Sequence, residues 1–168
     1  IWDEVYWRRE LGLPANRPVI LFGSTGMVIA PHEGLWLRDI DRAIDRGEIR
    51  ENPIILLRQH PNDPTEYWEP IKKECKNICF DEPWKAGREI PGKTNITRWD
   101  IEKLASTLFH CSIHVNASST MTVDGSIFDR PQIGPAYDDD LKYDRLAKEL
   151  YLREHYLPIT HSGGLDIA

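Results

Sequence analysis

Residues 18–23 read PVILFG, a short and continuous apolar run that lies between a proline and a glycine. Such a run is typical of a strand that is buried on both faces, as the strands of a parallel sheet are. Short runs of this kind recur along the chain. They predict strands at PVILF (18–22), PIILLR (53–58), NICF (77–80), SIHV (112–115) and PQIG (131–134).

The segments between these runs have helical character. The spacing of the apolar residues predicts a helix over 32–46, and Thr97 and Asp100 form a T-x-x-D capping box in front of another. Further helices are predicted at 64–73, within 119–128 and, with many charges, over roughly 138–154. Alternating strands and helices predict an α/β fold, a doubly wound, mainly parallel Rossmann-like sheet of about five strands with helices on both faces.

Length and charge restrict the class of protein. A chain of 168 residues suits a single domain over 1–168, and a net charge of −6 disfavours a nucleic-acid partner. The apolar runs are too short to span a bilayer and no signal peptide is visible, so we expect a cytoplasmic protein. The first residue is Ile1 and the last residues read like the start of another element, which suggests a fragment of a larger protein.

The predicted topology brings two polar loops together. In a doubly wound sheet, ligands bind at the carboxyl ends of the strands, where the strand order reverses. With the order 3-2-1-4-5, GSTGM (23–27) and NASST (116–120) meet there. Small residues let backbone N–H groups approach an anion, and a helix start after each loop would add a positive dipole end. The candidate binding residues of the two loops are Gly23, Ser24, Thr25, Gly26, Ser118, Ser119 and Thr120.

The stretch NASSTMTVDGSIFDRP (116–131) allows two interpretations. As structure, it is a helix with Ser118 or Ser119 as its N-cap and with Met121, Ile127 and Phe128 in the core. As a site, it places Asp124 about one turn beyond the polar loop, where a carboxylate could bind the vicinal hydroxyls of a ribose.

A histidine lies on the same rim of the sheet. RQHP (58–61) puts His60 at the carboxyl end of the second strand, where its imidazole could contact a phosphate. The alternative is an ordinary loop histidine that Pro61 holds in place.

One motif points to a different class of enzyme. GREIPGKT (87–94) matches the P-loop pattern G-x-x-x-x-G-K-[ST], with Lys93 and Thr94 as its phosphate and magnesium contacts. A P-loop follows its strand directly, whereas residues 81–86 separate this motif from the third strand and the helix cap at Thr97 comes late. We therefore predict an irregular loop, and a P-loop NTPase is the alternative function. GSTG lacks the G-x-G-x-x-G fingerprint, which disfavours NAD or FAD.

The motifs resemble those of the C-terminal, donor-binding domain of GT-B glycosyltransferases and their relatives, the CDP-glycerol glycerophosphotransferases and capsule or surface-polysaccharide transferases. Asp124 lies seven residues before Pro131, as the acid of those families does, and His60-Pro61 and the serine pair match their paired motifs. The resemblance implies that Asp124 binds the donor ribose and that His60 acts in catalysis or donor binding. It implies a phosphate-side loop of Ser118, Ser119, Thr120 and Thr122.

The resemblance also implies a reaction. The donor would be a UDP-, CDP- or CMP-linked sugar or glycerol, and the resemblance implies that no cofactor or metal would be needed. The acceptor site would belong to a missing N-terminal domain, and the full-length enzyme could associate peripherally with the inner face of a membrane. A non-catalytic Rossmann-like interaction domain is the third alternative.

Overall fold

A computed structural model describes residues 1–82, 96–139 and 146–168, and it contains one six-stranded parallel sheet. The strands are β1 (Val19–Gly23), β2 (Ile54–Arg58), β3 (Ile78–Asp81), β4 (Ile113–Asn116), β5 (Gln132–Gly134) and β6 (Asp166–Ile167). Their order across the sheet is β3-β2-β1-β4-β5-β6, and every pair is parallel. The predicted doubly wound sheet and its 3-2-1-4-5 order are confirmed.

The five predicted strands are confirmed, but the sheet has a sixth. β6 pairs with β5 through Ile133 and Gly134, and its two residues are exposed. A two-residue exposed strand has no periodic pattern, so the sequence could not indicate it.

Helices cover both faces of the sheet. They are α1 (Glu4–Glu10), α2 (Glu33–Asp45), α3 (Glu69–Glu74), α4 (Arg98–His110), α5 (Met121–Ser126) and α6 (Leu157–His161), with 3₁₀ turns at Thr65–Trp68 and Ala147–Leu152. One core, around Trp36 and Trp68, lies under α2 and α3, and the other, around Trp7 and Leu108, lies under α1 and α4. No helix within the described ranges is both long and apolar enough to cross a membrane.

The sequence-based prediction did not include α1. Asp3 caps this helix by accepting hydrogen bonds from the N–H groups of Val5 and Tyr6. Trp7 is its one buried residue, and its indole N–H donates to Thr107 on α4 at 3.1 Å. A single buried residue gives no helical periodicity, although the cap itself was readable.

The predicted capping box of α4 is confirmed. Asp100 Oδ2 accepts a hydrogen bond from the Thr97 N–H at 2.9 Å, and Thr97 Oγ1 accepts one from the Asp100 N–H at 3.3 Å. GREIPGKT lies outside the described residues, so the irregular loop and the P-loop remain predictions.

The predicted charged helix over 138–154 is wrong at its described residues, 138–139 and 146–154. Residues 135–139 form no helix, and the only helical turn before Arg153 in the described part of this segment is the 3₁₀ stretch Ala147–Leu152. Tertiary contacts replace it: the Trp36 indole N–H donates to the Tyr137 carbonyl at 2.9 Å, and the Ala147 N–H donates to the Asp138 carboxylate at 3.0 Å. His32 Nε2 lies 2.8 Å from that carboxylate. These contacts outweigh a weak charge pattern.

Candidate functional site

A polar cavity of about 410 Å³ lies at the carboxyl ends of β1, β2 and β4. The two predicted loops meet here, because Gly23 pairs with Asn116 in the sheet and the Thr25 hydroxyl donates to the Ala117 carbonyl. The predicted crevice is thereby confirmed. Seven of the predicted residues line it, namely Ser24, Thr25, His60, Ser118, Ser119, Thr120 and Asp124.

The first loop does not offer its N–H groups to a ligand. The Thr25 N–H donates to Glu33 Oε1 at 2.5 Å, and the Met27 N–H donates to Asp63 Oδ1 at 2.9 Å. The Gly26 N–H donates to Ser24 Oγ at 3.1 Å. The expectation that this loop binds an anion through its N–H groups needs correction, because the carboxylates of Glu33 and Asp63 already accept hydrogen bonds from them.

The Ser24 hydroxyl lies between two buried carboxyl groups under this loop. Ser24 Oγ lies 2.7 Å from Glu33 Oε2 and 3.2 Å from Asp63 Oδ2. Burial raises the pKa of Glu33 to about 8, while the hydrogen bonds from Thr25 and Ser24 oppose that rise. One hydroxyl cannot donate to two carboxylates at once. A protonated Glu33 can donate to Ser24, which then donates to Asp63.

The second loop is different, because one of its hydroxyl groups is unsatisfied. Ser118 adopts a left-handed backbone conformation with φ 53°. Its side chain is buried, and its hydroxyl has no hydrogen-bond partner among the described residues. The Asn116 side-chain oxygen holds the loop by accepting from Thr122 Oγ1 at 2.6 Å and from the Ser119 N–H at 3.4 Å.

Three predicted site residues shape the crevice without lining it. Thr122 is buried behind the loop, and its hydroxyl lies 2.5 Å from the Tyr156 hydroxyl. A Cβ at Gly23 would lie 2.7 Å from the sulfur of Met121, and one at Gly26, whose φ is +105°, would lie 3.2 Å from the His60 ring. These residues allow the loops and His60 to approach one another closely.

The helix after the second loop corrects two expectations. α5 begins at Met121, after Thr120 rather than directly after Ser118 or Ser119, and it has six residues. Ser119 Oγ accepts from the Met121 N–H at 3.3 Å. Such a short helix has a small dipole, so anion binding here depends on side chains. Ile127, expected in the core, is 74% exposed.

Asp124 and His60 line the crevice from different elements. Asp124 lies on α5 and is partly buried, and His60 follows β2 and is also partly buried. His60 Nδ1 accepts a hydrogen bond from the Asn62 N–H at 3.3 Å. A neutral His60 ring therefore carries its proton on Nε2, which can donate to a ligand oxygen.

The sequence interpretation missed four polar residues of the crevice, and two of them precede His60. These residues are Arg58, Gln59, Arg153 and His155. Arg58 ends an apolar strand, which was a readable signal. The C-terminal pair is brought to the site by a segment without any motif.

Arg58 belongs to a buried ion network. Its guanidinium pairs with Asp81 Oδ2, and Lys103 Nζ lies 2.6 Å from Asp81 Oδ1. The three side chains are at most 6% exposed. Of these three side chains, Arg58 lines the crevice and places a guanidinium at this wall.

A second cavity, of about 430 Å³, lies at the amino ends of the strands, beside Pro18, Pro53 and Ser112. Its lining is mostly apolar, with Ile20, Val115 and Ile133 at the sheet. The polar crevice is the better site for a charged ligand, because ligands of open α/β sheets bind at the carboxyl ends of strands. No cluster of three or more metal-ligating side chains occurs within residues 1–82, 96–139 and 146–168.

No protein family and no curated protein matches this chain. Solved structures of the wall teichoic acid polymerase TagF, soaked with CDPG, are similar to it. After a 15-minute soak that structure is 24% identical, over 86% of this chain and 30% of TagF, with a TM-score of 0.49. The 30-minute structure is 21% identical, over 83% and 28%, with a TM-score of 0.48. The chain thus spans less than a third of that protein.

Proposed function

We propose that the crevice binds a nucleotide-activated donor, a UDP-, CDP- or CMP-linked sugar or glycerol. The chain is then the donor-binding half of a glycosyltransferase or glycerophosphotransferase that makes a surface polysaccharide or glycoconjugate. The observation that carries this proposal is the meeting of the unpaired Ser118 hydroxyl, Asp124 and His60 around one polar crevice at the strand-order switch point.

Different residues of the crevice bind the phosphates and the ribose of the donor. The loop 118–120 supplies hydroxyl groups for the phosphates, and the nearby positive charge of Arg58 favours an anion. The Asp124 carboxylate, farther along α5, accepts hydrogen bonds from the two ribose hydroxyls. It does not contact the phosphates, because the like charges repel.

His60 has a role in the chemical step. An acceptor hydroxyl attacks the transferred group, the new bond to oxygen forms, and the bond to the nucleotide leaving group breaks. Negative charge then develops on the leaving phosphate, and the Nε2–H of His60 stabilises it by donating a hydrogen bond. The proton of the acceptor goes to a base that lies outside the crevice residues assigned here.

A ligand panel tests the binding function. We expect UDP, CDP or CMP to raise the melting temperature of the purified chain without magnesium. A shift with ATP alone, and only with magnesium, would instead support the P-loop alternative through Lys93 and Thr94. The absence of any shift would favour a non-catalytic interaction domain.

Asp124→Ala tests the ribose contact. It should weaken binding of the best nucleotide by roughly 1–3 kcal/mol, the range for hydrogen bonds to a charged group. Isothermal titration calorimetry measures the loss. Glu10→Ala, which removes an equal charge from an exposed site on α1, is the matched control and should bind as wild type does. Equal affinity of the Asp124→Ala variant and wild type would remove the ribose assignment.

A further inference from the structure

We propose that Gln59 recognises the hydroxyl groups of the transferred part of the donor and so determines which donor is used. Gln59 directly follows β2, and it lines the crevice although the residue is only 2% exposed. Neither its amide oxygen nor its amide nitrogen has a hydrogen-bond partner among the described residues. Buried polar groups are nearly always paired, so a fully unpaired buried amide at a binding crevice indicates a ligand contact.

The chemistry of the amide selects the type of group that it binds. The Gln59 oxygen needs a donor, and its NH₂ group needs acceptors. Phosphate oxygens accept hydrogen bonds and do not donate them at neutral pH, so a diphosphate leaves the amide oxygen unpaired. Hydroxyl groups donate and accept, and a polyol or a sugar carries several. A neutral polyol therefore satisfies both ends of the amide.

The order of the strands places Gln59 at the correct end of the crevice. β1 lies between β2 and β4, and neighbouring strands are about 4.8 Å apart, so the ends of β2 and β4 are roughly 10 Å apart. Asp124 lies on the far side of this gap, on a helix that packs against β4 and β5.

A donor bound as proposed above runs across that gap. The ribose of this donor lies at Asp124 and its phosphates at the loop 118–120. The base is attached at C1′ and the phosphates at C5′, on either side of the ring oxygen, so the base points away from β2. The transferred group lies beyond the phosphates, beside Gln59 and His60. This inference rests on the proposed function, and the experiment below separates the failure of one from the failure of the other.

Calorimetry with matched pairs of ligands tests the inference. CDP-glycerol is compared with CDP, and UDP-N-acetylglucosamine with UDP, so that each pair differs in the transferred group. In Gln59→Met, which keeps the length of the side chain and removes its polar atoms, the donor that wild type prefers should bind roughly tenfold or more weakly. Its nucleoside diphosphate should bind unchanged. Gln59→Asn keeps the amide one methylene short and should lose less.

Thermal unfolding provides the folding check. Within the described part of the chain the Gln59 amide makes no hydrogen bond that Met would remove, so Gln59→Met should keep or raise the melting temperature. Gln132→Met is the matched control, because the Gln132 amide is buried and lies 2.9 Å from His114 Nδ1. It should lower the melting temperature and leave the ratio of donor to diphosphate affinity unchanged.

Three outcomes would overturn the inference. An equal loss for the donor and its diphosphate would place Gln59 at the nucleotide, and no loss would remove it from the site. In both cases the proposed function stands. If wild type binds none of the four ligands, the proposed binding of UDP- and CDP-linked donors fails as well, and wild type alone reveals that.

Discussion

Replacing Glu33 with glutamine tests the proton arrangement under the first loop of the crevice. Glu33 is fully buried, and its pKa is raised from 4.5 to about 8, first of all by burial and in part by the charge of Asp63. Glutamine has the shape of the protonated acid. Its oxygen can accept from the Thr25 N–H, and its NH₂ can donate to Ser24, which is free to donate to Asp63. The variant therefore keeps every contact of the neutral form and removes only the titration.

The sign and size of the effect follow from proton linkage. Below pH 4.5 both the folded and the unfolded chain bind the Glu33 proton, so the residue adds no pH dependence. Between pH 4.5 and about 8 only the folded chain keeps it, and the free energy of unfolding falls as the pH rises. One pKa unit corresponds to about 1.4 kcal/mol of unfolding free energy. Relative to its stability below pH 4.5, Glu33 therefore makes wild type less stable by on the order of 3 kcal/mol at pH 7 and by about 5 kcal/mol above pH 8. Glu33→Gln lacks this penalty.

Urea unfolding at pH 5, 7 and 8.5 measures it. We expect the two proteins to differ by less than about 1 kcal/mol at pH 5 and the variant to be more stable by on the order of 3 kcal/mol at pH 7. His114 titrates in part of the same range, because burial lowers its pKa to about 4, but it is present in both proteins and cancels in the difference. Glu10→Gln, at an exposed carboxylate, is the control and should show a small, constant difference. A difference between wild type and Glu33→Gln that does not change with pH would refute the neutral Glu33.

Two further substitutions test the supports of the crevice. Asp81→Asn leaves Arg58 and Lys103 buried without their shared carboxylate and should lower the free energy of unfolding in urea by roughly 3–5 kcal/mol. The control Glu102→Gln breaks the exposed pair with Arg98 and should lower it by about 1 kcal/mol or less. A similar loss of stability in both variants would contradict the buried network. Tyr156→Phe removes the hydroxyl that meets Thr122 and should cost about 1 kcal/mol of stability and weaken nucleotide binding several-fold through the loop 116–120. Tyr6→Phe, on the far face, is the control, and unchanged stability and affinity in Tyr156→Phe would show that this contact does not position the loop.

The success of the fold prediction has a simple physical basis. A strand that is buried on both faces is a nearly continuous apolar run, so VILFG and IILLR can be recognised as strands from their own sequence. The failures occur where the local pattern is weak and distant contacts decide. The conformation of residues 135–139 depends on two distant contacts, that of the Trp36 indole with the Tyr137 carbonyl and that of the His32 ring with the Asp138 carboxylate. The local sequence pattern predicts neither contact.

The same distinction explains why the two loops of the crevice have different roles although their sequences look alike. Both are small, polar and placed at the end of a central strand, and from those features alone both predict an anion cradle. In the folded chain Glu33 and Asp63, brought in from α2 and from the loop after β2, satisfy the N–H groups of residues 25 and 27. Among residues 1–82, 96–139 and 146–168, no such side chain pairs with the Ser118 hydroxyl or the Gln59 amide. A buried polar group without a partner lowers the stability of the free protein, and a ligand that pairs with it recovers that cost on binding. If the crevice binds a donor as proposed, contacts to Ser118 and Gln59 would contribute to its binding free energy, whereas the first loop would form a wall without free N–H donors at residues 25 and 27.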